Sequence, residues 1–145
     1  TVLDVPGATG LLDTNYEGKV AAALEFLAQG DFVFLHVEAP DECGHGGDVA
    51  GKVEAIRRFD ARILAPLREA LGDTAAFLVA CDHPTPIELR THSADPVPFL
   101  FWRPGLPASG ASVFTERTAA TTGLTVAPGF ELLSRTLDWA RSEVA

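Results

Sequence analysis

The sequence predicts an α/β fold, a mostly parallel sheet sandwiched by helices, and three observations predict it. Short runs rich in β-branched and aromatic residues are apolar on both faces, as strands buried between two helical layers are. Stretches with apolar residues three and four apart alternate with those runs. The carboxylates and imidazoles collect just past strand ends, where open α/β sheets place their ligands.

The elements follow in chain order. Thr1 to Val5 is a short strand candidate. Val20, Ala23, Leu24, Leu27 and Ala28 form one apolar stripe, predicting a helix that Gly30 stops as a C-terminal cap. Phe32-Val33-Phe34-Leu35-His36-Val37 reads as a buried parallel strand, with His36 a hydrogen-bonded core residue, or one supporting ligands from behind, rather than a ligand itself. Val49, Val53, Ile56, Phe59, Ile63, Leu67 and Leu71 mark a longer helix. Pro66 inside it predicts a kink or a break, because an interior proline costs about 3 kcal/mol. Ala76-Phe77-Leu78-Val79-Ala80 is the next strand, and 97–102 another, with Pro98 at its start or on an edge. Phe130, Leu133, Leu137, Ala140 and Val144 predict a closing amphipathic helix entered from Pro128-Gly129.

Composition bounds the function. A length of 145 residues fits one domain or one lobe of something larger, and with Thr1 first and no methionine the chain reads as a piece of a longer protein. Twenty acidic residues against eleven basic ones leave a net charge of −9, which argues against nucleic acid and against an anionic membrane as partner. The 47% hydrophobic and 21% charged content is that of a packed chain, not a disordered one. No apolar run approaches the ~20 residues that span a bilayer, and no secretory signal pattern is visible. Two cysteines, Cys43 and Cys81, are too few for a disulfide scaffold and favour a reducing cytoplasm.

Three segments carry the chemistry. In Glu38-Ala39-Pro40-Asp41-Glu42-Cys43-Gly44-His45-Gly46-Gly47-Asp48, the proline and glycines argue for a shaped loop. Asp41 and His45 there offer a hard oxygen and an imidazole nitrogen, which suit Mn2+ or Zn2+ better than Ca2+. The same residues also suit a plain Gly-rich turn with Asp48 capping the next helix. Cys81-Asp82-His83-Pro84-Thr85-Pro86 follows a strand. If that loop is extended, Asp82 and His83 point to opposite sides and can serve two different ions; a turn stiffened by prolines is the alternative. His92 adds a third imidazole near a strand boundary, with Arg90 two residues before it.

On these blocks the sequence resembles the archaeal-type cofactor-independent phosphoglycerate mutases of the alkaline phosphatase superfamily. The segments 31–42, 44–45, 81–86 and 91–98 carry the resemblance, and Val5-Pro6-Gly7-Ala8-Thr9-Gly10 with 13–19 extends it over nearly the whole chain. It implies a partial alkaline-phosphatase-like core, with residues 1–145 the C-terminal part of the metal-binding catalytic domain. Two divalent cations are implied, Mn2+ first and Zn2+ or Mg2+ as alternatives. Asp41, His45 and His92 would hold one, and Asp82 with His83 would help hold the other. The activity implied is that of a cytoplasmic isomerase of glycolysis. It interconverts 3-phosphoglycerate and 2-phosphoglycerate through a phosphoserine, without 2,3-bisphosphoglycerate.

The nucleophilic serine is expected upstream; Thr85, Thr91 and Ser93 do not match its motif, so the fragment alone is expected to be inactive. Arg90, Lys19 and Lys52 are candidates for holding a substrate carboxylate or phosphate, or else are solvated cations. Cys43 and Cys81 depart from the family pattern; they read as inert packing or, less readily, as thiolate ligands of a softer metal. The same chemistry with another acceptor gives a homoserine kinase or a phosphomonoesterase. A third alternative is that the isolated chain is a non-catalytic metal-binding domain.

Overall fold

The structure is a computed structural model that describes residues 1–141. They divide into two compact units, one formed by Thr1–Leu71 with Thr85–Ser93, the other by Gly72–Pro84 with the chain from Ala94 onward.

The first unit is helical. Helix α1 spans Tyr16–Leu27, α2 Ala39–Gly46, α3 Val49–Phe59 and α4 Ala65–Leu71, and a π-helical turn, Asp60–Leu64, joins α3 to α4. Asn15 starts α1, its side-chain oxygen accepting the Gly18 N–H at 2.8 Å while its amide donates to Pro6 O at 2.9 Å. The helix ends with Ala28 as its cap in right-handed geometry, so Gly30 is not the cap; a Cβ there would meet the Phe26 ring, which packs over it. The core of this unit is Tyr16, Val20 and Ile63, with Leu24, Leu35, Val37, Phe59 and Leu67 packed against them. Pro66 distorts the long helix, as expected, without ending it, since α4 runs through it. The turn before it widens to an i→i+5 bond from Ala65 N–H to Asp60 O, which accommodates the missing donor. The widened turn also carries Arg62, whose guanidinium lies 4.6 Å from the Tyr16 ring centroid. Burial pushes the Tyr16 phenol upward in pKa, so it stays neutral.

Several sequence expectations are corrected here. Val49, Val53 and Ile56 are exposed, and α3 buries Gly51 and Ala55 instead. The long stripe counted through α3 did not allow for the phase change at the π turn, so only its Phe59–Ile63–Leu67 part faces the core. Residues 32–37 are extended, with Val33, Leu35 and Val37 half-buried and Phe32, Phe34 and His36 exposed, the two-residue alternation of a strand. Among the described residues they join no ladder, and neither do residues 1–5. His36 is therefore a solvent-facing residue stacked on Phe34, not a core histidine.

The second unit holds a two-stranded sheet, β1 (Phe77–Ala80) and β2 (Phe99–Trp102), with Pro98 immediately before β2 as expected. The strands pair antiparallel, with Phe77 opposite Trp102 and Ala80 opposite Phe99. The parallel direction is thus corrected for this pair: apolar residues on both faces report burial, not strand polarity. Two helices follow, α5 (Glu116–Thr121), capped by Thr115, and α6 (Leu132–Arg141). Trp139 of α6 packs on the sheet, 6.2 Å from the Phe99 ring and 5.6 Å from Phe101. The packed face of α6 includes Leu132, Thr136 and Trp139, so the stripe expected from Phe130 and Leu133 is rotated; Phe130 is 86% exposed. Val144, its expected last member, lies outside the described residues. No helix among the described residues is long and apolar enough to cross a membrane.

Candidate metal centre

The segment expected to be a glycine-rich loop is a helix. Pro40 sits in the first turn of α2, where its missing N–H leaves nothing unpaired, and Gly47 closes the helix at φ +69°. Only the two ends thus need the special residues, and the interior is free to be helical. Helical spacing puts Asp41 and His45 on one face, with the His45 Nε2 3.3 Å from Asp41 Oδ2. Asp48 caps α3 as well, accepting the Gly51 N–H at 2.8 Å, so the capped-turn alternative and the Asp–His pair coexist.

The segment 85–93 returns to α2 and brings His92 with it. His92 Nε2 lies 3.2 Å from His45 Nε2 and 3.6 Å from Asp41 Oδ1. These separations suit a shared ion: donors about 2.1 Å from one cation and about 90–120° apart lie about 3.0–3.6 Å from each other. The ring of His45 is oriented from behind. Its Nδ1 faces the Arg90 carbonyl at 3.0 Å, so Nδ1 carries a hydrogen and the ring turns Nε2 toward the cluster. Arg90 is held at φ +52°, a strain on the order of 1–3 kcal/mol for a residue with a Cβ.

Thr85 completes the cluster. Its hydroxyl donates a short hydrogen bond to Asp41 Oδ1, and Lys52 Nζ donates to its carbonyl at 2.6 Å. Gly44 permits this approach, since a Cβ there would stand 2.7 Å from the Thr85 carbonyl oxygen. Sequence reasoning considered Thr85 only as a stand-in nucleophile and missed its support of Asp41; its place inside the Asp82–Pro86 motif was the available signal.

Asp82 and His83 sit past the end of β1 in the second unit, and their side chains converge, His83 Nε2 lying 3.4 Å from Asp82 Oδ2. The extended-chain expectation of opposite directions is corrected: the His83 N–H turns back onto Asp82 Oδ1 at 3.1 Å, so the backbone bends there. Lys19 donates to the His36 carbonyl at 3.1 Å, bracing the extended run 32–37. The Arg90 guanidinium packs over Gly47, where a Cβ would stand 2.6 Å from Nε. Cys43 is half-buried, and burial, then Asp48, pushes its thiol above the ordinary value, which disfavours a thiolate ligand. Cys81 is exposed.

Residues 1–131 match the family described as the Metalloenzyme superfamily. The chain belongs to that superfamily. Within it, the chain is 48% identical over 140 residues to a probable 2,3-bisphosphoglycerate-independent phosphoglycerate mutase of Geobacter sulfurreducens, covering 94% of this chain and 35% of that protein. To the 2,3-bisphosphoglycerate-independent phosphoglycerate mutase of Methanothrix thermoacetophila it is 49% identical over 135 residues, covering 91% of this chain and 34% of the relative. The solved structure of the PH0037 protein from Pyrococcus horikoshii matches with a TM-score of 0.90 at 34% identity, covering 99% of this chain and 44% of that one. The resemblance stated from the motif blocks is thereby shown, as is the partial α/β, alkaline-phosphatase-like class. This metalloenzyme chain spans about a third of the length of the curated relatives it matches. Membership implies use of a divalent metal, and the oxygen-and-imidazole donor set of Asp41, His45 and His92 fits one.

Proposed function

We propose that the whole protein is a cofactor-independent phosphoglycerate mutase, interconverting 3-phosphoglycerate and 2-phosphoglycerate in the cytoplasm through a phosphoserine. In this reading residues 1–145 are the C-terminal, metal-binding part of its catalytic domain. Asp41, His45 and His92 hold one divalent cation, Asp82 and His83 contribute to a second, and Mn2+ is the ion best matched to mixed carboxylate and imidazole donors. The observation that carries the reading is the mutual approach of Asp41, His45 and His92 to 3.2–3.6 Å, in a chain whose relatives bear the mutase name.

When bound, such cations supply Lewis-acid neutralisation of phosphoryl oxygens and activation of the attacking hydroxyl. The chain's own residues prepare the place for that chemistry. Asp41 supplies a carboxylate whose Oδ1 is oriented by the Thr85 hydroxyl. His45 supplies Nε2, its tautomer fixed by the Arg90 carbonyl, and His92 supplies a second Nε2 from the returning segment. Arg90 and Lys19 remain candidates for the substrate's carboxylate or phosphate. Both are cations, but Lys19 already serves the His36 carbonyl, which makes Arg90 the better of the two. The serine nucleophile belongs upstream, so this chain alone is inactive.

The test is an assay of the full-length protein with Mn2+ and 3-phosphoglycerate. Formation of 2-phosphoglycerate is the expected result. Phosphate release alone, or phosphorylation of homoserine from a phosphate donor, replaces the mutase with a phosphomonoesterase or a homoserine kinase. No turnover with any of the three removes the reading.

A further inference from the structure

Thr85 is 4% exposed, and its surroundings hold it from two sides. Its hydroxyl donates to Asp41 Oδ1, and its carbonyl accepts from Lys52 Nζ of α3 at 2.6 Å. Its backbone lies close against α2 at Gly44. A carboxylate on a half-buried helical position can rotate about two bonds. With Oδ1 held by Thr85, Oδ2 faces His45 at 3.3 Å and Oδ1 stays within 3.6 Å of His92.

Resting on the metal assignment above, we propose that Thr85 is the positioning residue of this centre: its hydroxyl fixes the Asp41 carboxylate in the orientation that faces both imidazoles, and Lys52 fixes Thr85. Thr85 touches no reacting atom in this scheme. Its effect passes through Asp41, as ligand-orienting hydrogen bonds do in metal sites generally, where their loss costs about 10–100-fold in affinity. Lys52 then has a structural assignment in place of the substrate-holding one considered from sequence.

The experiment is a Co2+ titration of the metal-free full-length protein, followed by visible absorption, with wild type, Thr85→Val, Thr85→Ser, Lys52→Met, His45→Ala and His92→Ala. Thr85→Val keeps the side chain's shape and replaces the hydroxyl by a methyl. It is expected to weaken Co2+ binding about 10–100-fold and to change the d–d band. Thr85→Ser restores the hydroxyl and is expected to restore both, and Lys52→Met to weaken binding by a smaller factor. Wild-type affinity and spectrum in Thr85→Val overturn the proposal while leaving the metal site standing, provided the histidine variants lose binding. If the histidine variants bind Co2+ like wild type, the metal assignment falls and this proposal with it. Should Thr85→Val fail to fold, Thr85→Ser and Lys52→Met decide: a serine variant with weakened binding, or a Lys52 variant without it, overturns the proposal.

Discussion

His45 and His92 stand forty-seven positions apart in the chain, yet their Nε2 atoms lie 3.2 Å from each other with the ring centroids 5.0 Å apart. Two imidazoles gain little from such an approach by themselves. With His45 Nδ1 committed to the Arg90 carbonyl and the Asp41 carboxylate beside both rings, the arrangement is that of donors turned toward one point.

Removing either imidazole should therefore remove a ligand and leave the fold in place. His92→Ala is the cleaner variant, because His92 is exposed and its loss opens no cavity. The expected outcome is loss of Mn2+ binding at this site and of activity in the full-length enzyme, with unfolding of the metal-free protein unchanged. Isothermal titration with Mn2+ and thermal unfolding in chelator read the two effects separately.

Gly44→Ala is expected to strike both stability and metal binding. The added methyl would stand 2.7 Å from the Thr85 carbonyl oxygen and 2.9 Å from its Cγ2, and the oxygen is backbone. The 85–93 segment must move, at a cost of about 1–3 kcal/mol, and carry the Thr85 hydroxyl away from Asp41. Urea unfolding measures the first effect and Co2+ titration the second. An unchanged urea midpoint would show that the segment has room to yield.

The candidate donors are legible in the sequence because carboxylate and imidazole chemistry is written in residue type. How they are held is less so. Glycine and proline depress helix formation in the abstract, which points to a loop around Asp41 and His45; here Pro40 and Gly47 occupy the two positions where a helix favours them. The contribution of Thr85 depends on a contact across forty-four positions; the Asp82–Pro86 motif draws attention to Thr85 but does not name Asp41 as its partner. The stripes on α3 and α6 were misphased for a related reason. Periodicity tells which residues share a face, but not whether a neighbour covers it, and Val49, Val53 and Ile56 remain uncovered. Pro66 was read correctly since its effect is covalent and local.

Ile63 offers a test of the core. It is 2% exposed, sits in the π turn and packs with Tyr16 and Val20. Ile63→Ala should cost about 2–5 kcal/mol, the lost transfer energy plus the cavity left under a rigid π turn. A shift in the urea midpoint at constant slope would report it. A cost under about 1 kcal/mol would mean that the helices collapse onto the space.

The ion pair between Glu17 and Arg62 should give stability a defined pH dependence. Arg62 Nε and Nη2 donate to the two carboxylate oxygens at 2.7 and 2.6 Å, tying α1 to the π turn. The hydrogen bond from Arg62 is the main cause holding the Glu17 carboxyl below its usual range. A carboxyl whose pKa is lower folded than unfolded stabilises the fold above the unfolded value of about 4.3, and that contribution is lost as pH falls through the folded value. Glu17→Gln should thus lower the melting temperature at neutral pH, with the gap to wild type narrowing as the pH is taken below about 4. Both groups are solvent-accessible, so added salt should shrink the neutral-pH gap as well. Calorimetry of the two proteins across pH, at low and high salt, measures it. A gap that stays constant down to acid pH would assign the effect to lost packing over Tyr16, not to charge.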